Sequence, residues 1–172
     1  ALVTGCGQQP VRIAFGGDVF LHGTKKSVPD QPIWPKTWRL LGQNAHLRVV
    51  NLEATLSHRS PLACPESLRR HLCLRYVVDP ALVKRLQHGG VNAVSVANNH
   101  ALDAGRGGLL DTVNALEAAD IRPLGPVNSA SPCATKTTIN GRHFAFIART
   151  VVLSPAQPAR GPTPWPGYVH RR

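Results

Sequence analysis

The chain has 172 residues, 42% of them hydrophobic, and a formal net charge of +11 at pH 7. This length fits one globular domain, and no apolar run reaches the ~20 residues that a membrane-spanning helix needs. The positive charge favours an anionic partner. Only 5% of the residues are aromatic, however, and the basic residues are scattered, so no base-stacking surface is visible and we expect no nucleic-acid partner.

The first ten residues are typical of a processed leader. Residues 3–6, VTGC, resemble a bacterial lipobox, and the chain contains no Met, so we interpret residues 1–10 as a lipoprotein signal remnant and linker. The alternative is a Cys in a disordered terminus. A lipid on Cys6 would anchor the domain to a membrane outside the cytoplasm. That compartment permits disulfides, and Cys64 and Cys73 are near enough in sequence to pair.

Strands and helices alternate along the chain. Asp79 is the expected N-cap of one helix, and Asn140-Gly141 predicts a hairpin. This alternation favours an α/β layered domain whose early strands are parallel. The predicted strands are residues 11–15, 47–52, 73–78, 91–97, 121–124, 133–139 and 143–148, and the predicted helices are residues 35–41, 80–88 and 107–119.

The end of the chain has a different composition. From Ser154 onward the sequence is rich in Pro and Arg, contains no acidic residue and shows no periodicity. We therefore expect residues 151–172 to form a disordered tail, and residues 11–150 to form the domain.

Polar groups that can bind metal follow three of the predicted strands. Asp18 follows the first strand, which is expected to stop at a Gly pair. Glu53 follows the second, and Asn99 and His100 follow residues 91–97, with Asp103 just beyond. A parallel sheet would bring these ends into one crevice. The donors suit Mn, Fe, Zn or Mg, and with two ions Glu53 could bridge them. An Asx-turn with a cap is the alternative interpretation of the third segment.

Three ordered motifs resemble those of the poly-gamma-glutamate capsule biosynthesis (CapA) proteins. They are FGGDV at residues 15–19, VNLE at residues 50–53 and ANNHALDAG at residues 97–105, and the resemblance spans residues 11–148. It implies a calcineurin-like metallophosphoesterase fold, a layered α-β-β-α sandwich of which this chain would hold only the N-terminal half to two thirds. It also implies a metallohydrolase-like protein that acts on or handles an anionic extracellular polymer such as polyglutamate.

The resemblance also implies roles for the five candidate residues. Asp18, Glu53 and Asn99 would be metal ligands, with Glu53 as the bridging carboxylate. His100 would be the acid or electrostatic stabiliser beside the leaving group, and Asp103 would orient it.

The sequence departs from the family pattern in two places. Phe20 stands where phosphoesterases carry a His two positions after Asp18, and we interpret His22 as a surface residue of a turn-rich loop. The family continues with His-Trp-Gly-type and Gly-His-x-x-His-type segments that complete the metal site, whereas only His170 follows Thr150 here. With half of the ligand set present, we expect this chain to be inactive as it stands.

Two alternative functions remain open from the sequence. The first is a non-catalytic surface lipoprotein whose basic face binds the polymer, which salt-sensitive binding without metal would indicate. The second is a general metallophosphoesterase, which hydrolysis of a generic phosphate ester would indicate.

Overall fold

Four parallel strands form the main sheet of the domain. The computed structural model describes residues 10–21, 36–66, 73–125 and 134–150, so the predictions on Cys6, His22 and residues 151–172 lie outside the described residues. The strands are β1 (Ile13–Val19), β2 (Leu47–Leu52), β3 (Thr55–Leu56), β4 (Val77–Val78), β5 (Ala93–Ser95), β6 (Arg122–Leu124), β7 (Thr135–Ile139) and β8 (Arg142–Phe146). The helices are α1 (Lys36–Gly42), α2 (Val83–His88) and α3 (Gly105–Ala118).

The main sheet has the strand order β1-β2-β5-β6, and each neighbouring pair is parallel. The predicted mixed α/β fold with parallel early strands is therefore confirmed. Two short pairs accompany this sheet: β3 pairs with β4 in parallel, and β7 with β8 as an antiparallel hairpin.

The first strand is longer than the sequence predicted. It was expected to stop at Gly16-Gly17, but β1 runs through both glycines to Val19. One extra residue is accommodated between Phe15 and Asp18, where the register with β2 shifts. Such a bulge re-aims the strand, and it pairs Asp18 with Asn51.

Hydrophobic packing covers both faces of the sheet. Successive side chains of a strand point to opposite faces, and the larger apolar cluster joins the even-numbered positions of β2 and β5 to the helices. Its members include Val50, Leu52, Leu86, Val94, Leu109, Val113 and Leu116. On the other face, Ile139 and Phe146 of the hairpin pack against Leu47, Val49 and Leu124. The domain is thus layered as helices, sheet and hairpin.

Local signals set several boundaries as predicted. The Asp79 carboxylate accepts a hydrogen bond from Ala81 N at 2.8 Å, which caps the 3-10 turn Pro80–Leu82 ahead of α2. Asn140 and Gly141 have φ values of 49° and 74°, the left-handed pair that a tight hairpin turn requires.

A disulfide joins Cys64 to Cys73, whose Cα atoms are 6.0 Å apart. This pairing was expected from their spacing and from an oxidising compartment.

No helix in the described part of the chain is long and apolar enough to cross a membrane.

Candidate functional site

Two carboxylates meet at the carboxyl ends of β1 and β2. The side-chain amide of Asn51 donates one hydrogen bond to Asp18 Oδ1 at 2.8 Å and another to Glu53 Oε2 at 3.0 Å. Glu53 directly follows β2, and its backbone N–H donates to Val19 O at 3.0 Å. One amide therefore holds both predicted ligand carboxylates together.

A histidine–aspartate pair adjoins these carboxylates. His100 Nδ1 lies 2.7 Å from Asp103 Oδ2, and His100 Nε2 lies 3.7 Å from Glu53 Oε1. With the Asp103 carboxylate as acceptor, Nδ1 carries the hydrogen. Asp103 is fully buried and His100 is 7% exposed. The ring is therefore oriented so that Nε2 faces Glu53.

Asn98 connects the segment after β5 to β2. Its amide donates to Leu52 O at 2.7 Å and to Asn51 Oδ1 at 3.0 Å, while its own Oδ1 accepts from His100 N at 2.9 Å. All three bonds join backbone or site groups, so Asn98 has a structural role. The neighbouring Asn99 is half-buried, and its side chain makes no hydrogen bond to the residues that the structure describes.

Aromatic rings fix the imidazole from one side. The ring of Tyr76 stacks on His100 with a centroid distance of 4.2 Å and an interplanar angle of 30°. Phe20 lies against Tyr76 at 4.4 Å. Phe20 occupies the position where the resemblance leads one to expect a histidine, and here it supports the ring that packs on His100.

The sequence identified most of this constellation. Asp18, Glu53, His100 and Asp103 are linked through direct or Asn51-mediated contacts, whereas Asn99 is placed next to them only by its position in the chain. Their catalytic and ligand roles stay predictions.

Two asparagines were missed as site residues. Asn51 is a polar residue inside the otherwise apolar end of β2, and this was a usable signal. The role of Asn98 was hidden, because an Asn pair after a strand is typical of a turn.

The side chains at this site are of the chemical types that bind divalent metal ions. Within residues 10–21, 36–66, 73–125 and 134–150, no three His, Cys, Asp or Glu side chains are grouped closely enough to hold a metal. The two carboxylates nevertheless lie around one electropositive group, the Asn51 amide N–H₂. Carboxylate oxygens with an imidazole and an amide nearby are donors that Mn, Fe, Zn or Mg accept.

The family model described as "Bacterial capsule synthesis protein PGA_cap" matches residues 12–170. The chain belongs to this family. The resemblance based on the three motifs is thereby confirmed. No curated protein sequence matches the chain. The PGA_cap match contains every site residue described above.

A second polar cluster of this PGA_cap domain fixes the segment after β3 to α3. The Ser57 hydroxyl donates to Asp111 Oδ2 at 2.6 Å, and Arg59 Nε donates to the same oxygen at 2.9 Å. These interactions, with Ser57 contributing most, hold the pKa of Asp111 below its ordinary value of 3.8.

Proposed function

We propose that this capsule-synthesis protein is a metallohydrolase-like protein that acts on or handles an anionic extracellular polymer such as polyglutamate. The observation that carries the proposal is the His100–Asp103 pair, whose second imidazole nitrogen, Nε2, faces Glu53 beside Asp18. The layered α-β-β-α sandwich is part of the same proposal. The parallel sheet with helices on one face and a β-hairpin on the other supports it.

Each residue has a defined task in this proposal. Asp103 holds the Nδ1 hydrogen of His100, so that Nε2 is the nitrogen that exchanges a proton with the reacting groups: it accepts a proton while the ring is neutral and then gives that proton to the leaving group. Polarisation of the bond to be cleaved is the chemistry that a divalent ion supplies when bound, and Asp18, Glu53 and Asn99 are the residues that would hold it.

Calorimetric titration with Mn²⁺ or Zn²⁺ tests the site. We expect stoichiometric binding to the wild-type chain and at least a tenfold weaker affinity for Glu53→Gln, because the substitution removes a ligand charge but keeps the side-chain volume. Glu117→Gln is the matched control, since Glu117 is exposed on α3. Absence of binding to the wild-type chain, or equal affinity in all three proteins, would contradict the proposal.

Hydrolysis assays then separate the substrate classes. Release of glutamate from gamma-linked oligomers that is abolished in His100→Gln supports polymer cleavage, and it would show that the expectation of an inactive chain is wrong. Hydrolysis of a generic phosphate ester without cleavage of the oligomers favours a general metallophosphoesterase instead.

The hairpin favours a second candidate function, polymer binding without catalysis. Lys136, Arg142, His143 and Arg149 are exposed, and residues 134–150 contain no Asp or Glu. A concave surface beside the hairpin is lined by Arg122, Lys136 and His143 among others. Metal-free binding of polyglutamate that weakens with salt and is lost in Lys136→Gln/Arg142→Gln would support it.

We further propose that the protein is extracytoplasmic and anchored through a lipid on Cys6. The support is the lipobox-like segment together with the Cys64–Cys73 disulfide, which fits an oxidising compartment. Cys6→Ser should release the protein from the membrane fraction of cells that express its full reading frame. Unchanged membrane fractionation of this variant would count against the anchor.

A further inference from the structure

Asp103 is contacted by two segments that are distant from it in sequence. Leu62 N donates to the backbone oxygen of Asp103 at 2.7 Å. The carboxylate accepts from Tyr76 N at 2.6 Å, and Arg75 Nη1 lies 3.6 Å from its second oxygen. Backbone and side chain of the residue that orients His100 are thus held from outside the ANNHALDAG motif.

The Cys64–Cys73 disulfide joins the two segments. Cys64 follows Leu62 by two residues, and Cys73 precedes Arg75 by two. Arg75 Nε also donates to Leu62 O at 3.3 Å, which links the segments a second time. The crosslink therefore joins two segments that both contact Asp103.

Charge explains why Arg75 matters for this geometry. The Arg75 side chain is 6% exposed and that of Asp103 is fully buried. Among the described residues, Asp103 Oδ1 accepts no hydrogen bond, and the Arg75 guanidinium is the cation beside it. A buried carboxylate needs such a compensating charge. Without Arg75, the Asp103 carboxylate would be a buried charge without a compensating cation. Its free energy would then be lower if it turned towards water and away from His100.

We propose that Arg75, held in place by the Cys64–Cys73 disulfide, is a positioning residue for the His100–Asp103 pair. Loss of the guanidinium, or opening of the disulfide, releases Asp103 from His100 Nδ1. This inference rests on the proposed function in so far as the pair is taken to be its proton donor. It adds that the donor is aligned only while the two cysteines are joined.

The Nδ1–H proton of His100 reports this alignment directly. In protein with ¹⁵N-labelled histidine, a hydrogen bond to a buried carboxylate slows solvent exchange of this proton, and its NMR signal is assigned by its absence in His100→Gln. We expect at least tenfold faster exchange, or loss of the signal, in Arg75→Gln. Arg75→Lys should restore part of the protection, because it returns the positive charge without the planar guanidinium.

Arg59→Gln is the matched control. Arg59 belongs to the same connecting region and pairs with a carboxylate, but that carboxylate is Asp111 and not Asp103. The His100 signal should be unchanged in this variant. A fully protected Nδ1–H in Arg75→Gln, or equal loss in both variants, would overturn the proposal.

Reduction of the disulfide in the wild-type chain is the second measurement. It tests the alignment of Asp103 with His100 if Arg75→Gln does not fold. A water-soluble phosphine cleaves the S–S bond to two thiols and is itself oxidised to the phosphine oxide. The His100 signal should weaken on reduction and return on reoxidation, while the amide spectrum remains dispersed. A signal that survives complete reduction would overturn the role of the crosslink. Metal affinity does not enter this readout, so failure here is distinct from failure of the proposed function.

Discussion

Asn98 and Asn99 are adjacent in the chain but stand in different environments. Asn98 is 7% exposed and uses its amide in bonds to Leu52, Asn51 and His100. Asn99 is half-buried and makes no side-chain hydrogen bond to any described residue. The two substitutions to Ala should therefore separate a structural contribution from a ligand contribution.

Asn98→Ala is expected to destabilise the fold by about 1–3 kcal/mol, because it leaves buried backbone groups of Leu52 and His100 without their partners. The free energy of unfolding in urea, with metal absent, measures this cost.

Asn99→Ala is the matched control. Its free energy of unfolding should change by less than about 0.5 kcal/mol, while its affinity for Mn²⁺ should fall if Asn99 is a ligand. A larger loss of stability in Asn99→Ala than in Asn98→Ala would reverse the two assignments.

At the scale of single residues, the charged residues of the site could be predicted from the sequence, whereas the two asparagines were missed. Asp18, Glu53 and Asp103 are scarce residue types placed after strands, and so they were visible as candidates. Asn51 and Asn98 each also bond to partners tens of residues away in the chain, Asp18 and Leu52 respectively, and local turn propensity contains no information about such contacts.

At the scale of elements, α3 approaches β3 closely at Gly108. A Cβ atom on Gly108 would lie 2.5 Å from Ala104 Cβ and 3.0 Å from Thr55 Cγ2. Thr55 is fully buried, so it has no space into which to move. The absence of a side chain at this position lets the helix lie against the strand pair.

Gly108→Ala should destabilise the protein by about 1–3 kcal/mol through overpacking, although Ala is the better helix former. Gly107→Ala is the comparison. The three heavy atoms nearest to its Cβ would all belong to Arg59, and this exposed side chain can move aside. We expect its stability to change by less than about 1 kcal/mol. Equal melting temperatures for the two variants would contradict this account of the packing.

The contact between Ser57 and Asp111 should make the attachment of the β3 segment to α3 sensitive to acid. Because the folded-state pKa of Asp111 lies below 3.8, its contribution to stability is present above that pH. The contribution is lost as the pH falls through the lower folded-state value. The stability difference between the wild-type chain and Asp111→Asn should therefore shrink between about pH 5 and pH 2. A difference that stays constant across this range would show that the contact does not favour the ionised form.

The sequence predicted the type of most elements but not where side chains would interrupt them. Residues 73–78 were expected to be one strand, whereas only Val77–Val78 is. The amide of Tyr76 bonds to the Asp103 carboxylate instead of a neighbouring strand. Likewise, β1 continues past its glycines because a bulge absorbs the extra residue, which depends on pairing with β2 and is not a local property.

For the whole molecule, the disulfide should contribute to stability beyond its effect on the site. It crosslinks residues nine positions apart, and restricting a loop of that size in the unfolded chain is worth about 2–3 kcal/mol in the chain-entropy model. Reductant should lower the urea midpoint of the wild-type chain and leave that of Cys64→Ser/Cys73→Ser unchanged. An equal shift in both proteins would assign the effect to a group other than the Cys64–Cys73 disulfide.

The strand order β1-β2-β5-β6 has a consequence for how the polypeptide folds while it is being synthesised. Each strand of the main sheet adds to the edge left by the one before it in the chain, so no strand has to insert between two that are already paired. A chain that emerges from its N-terminus during synthesis can therefore assemble this sheet in the order of translation. The site is completed when His100 and Asp103 emerge behind β5 and reach a Glu53 that is already in place.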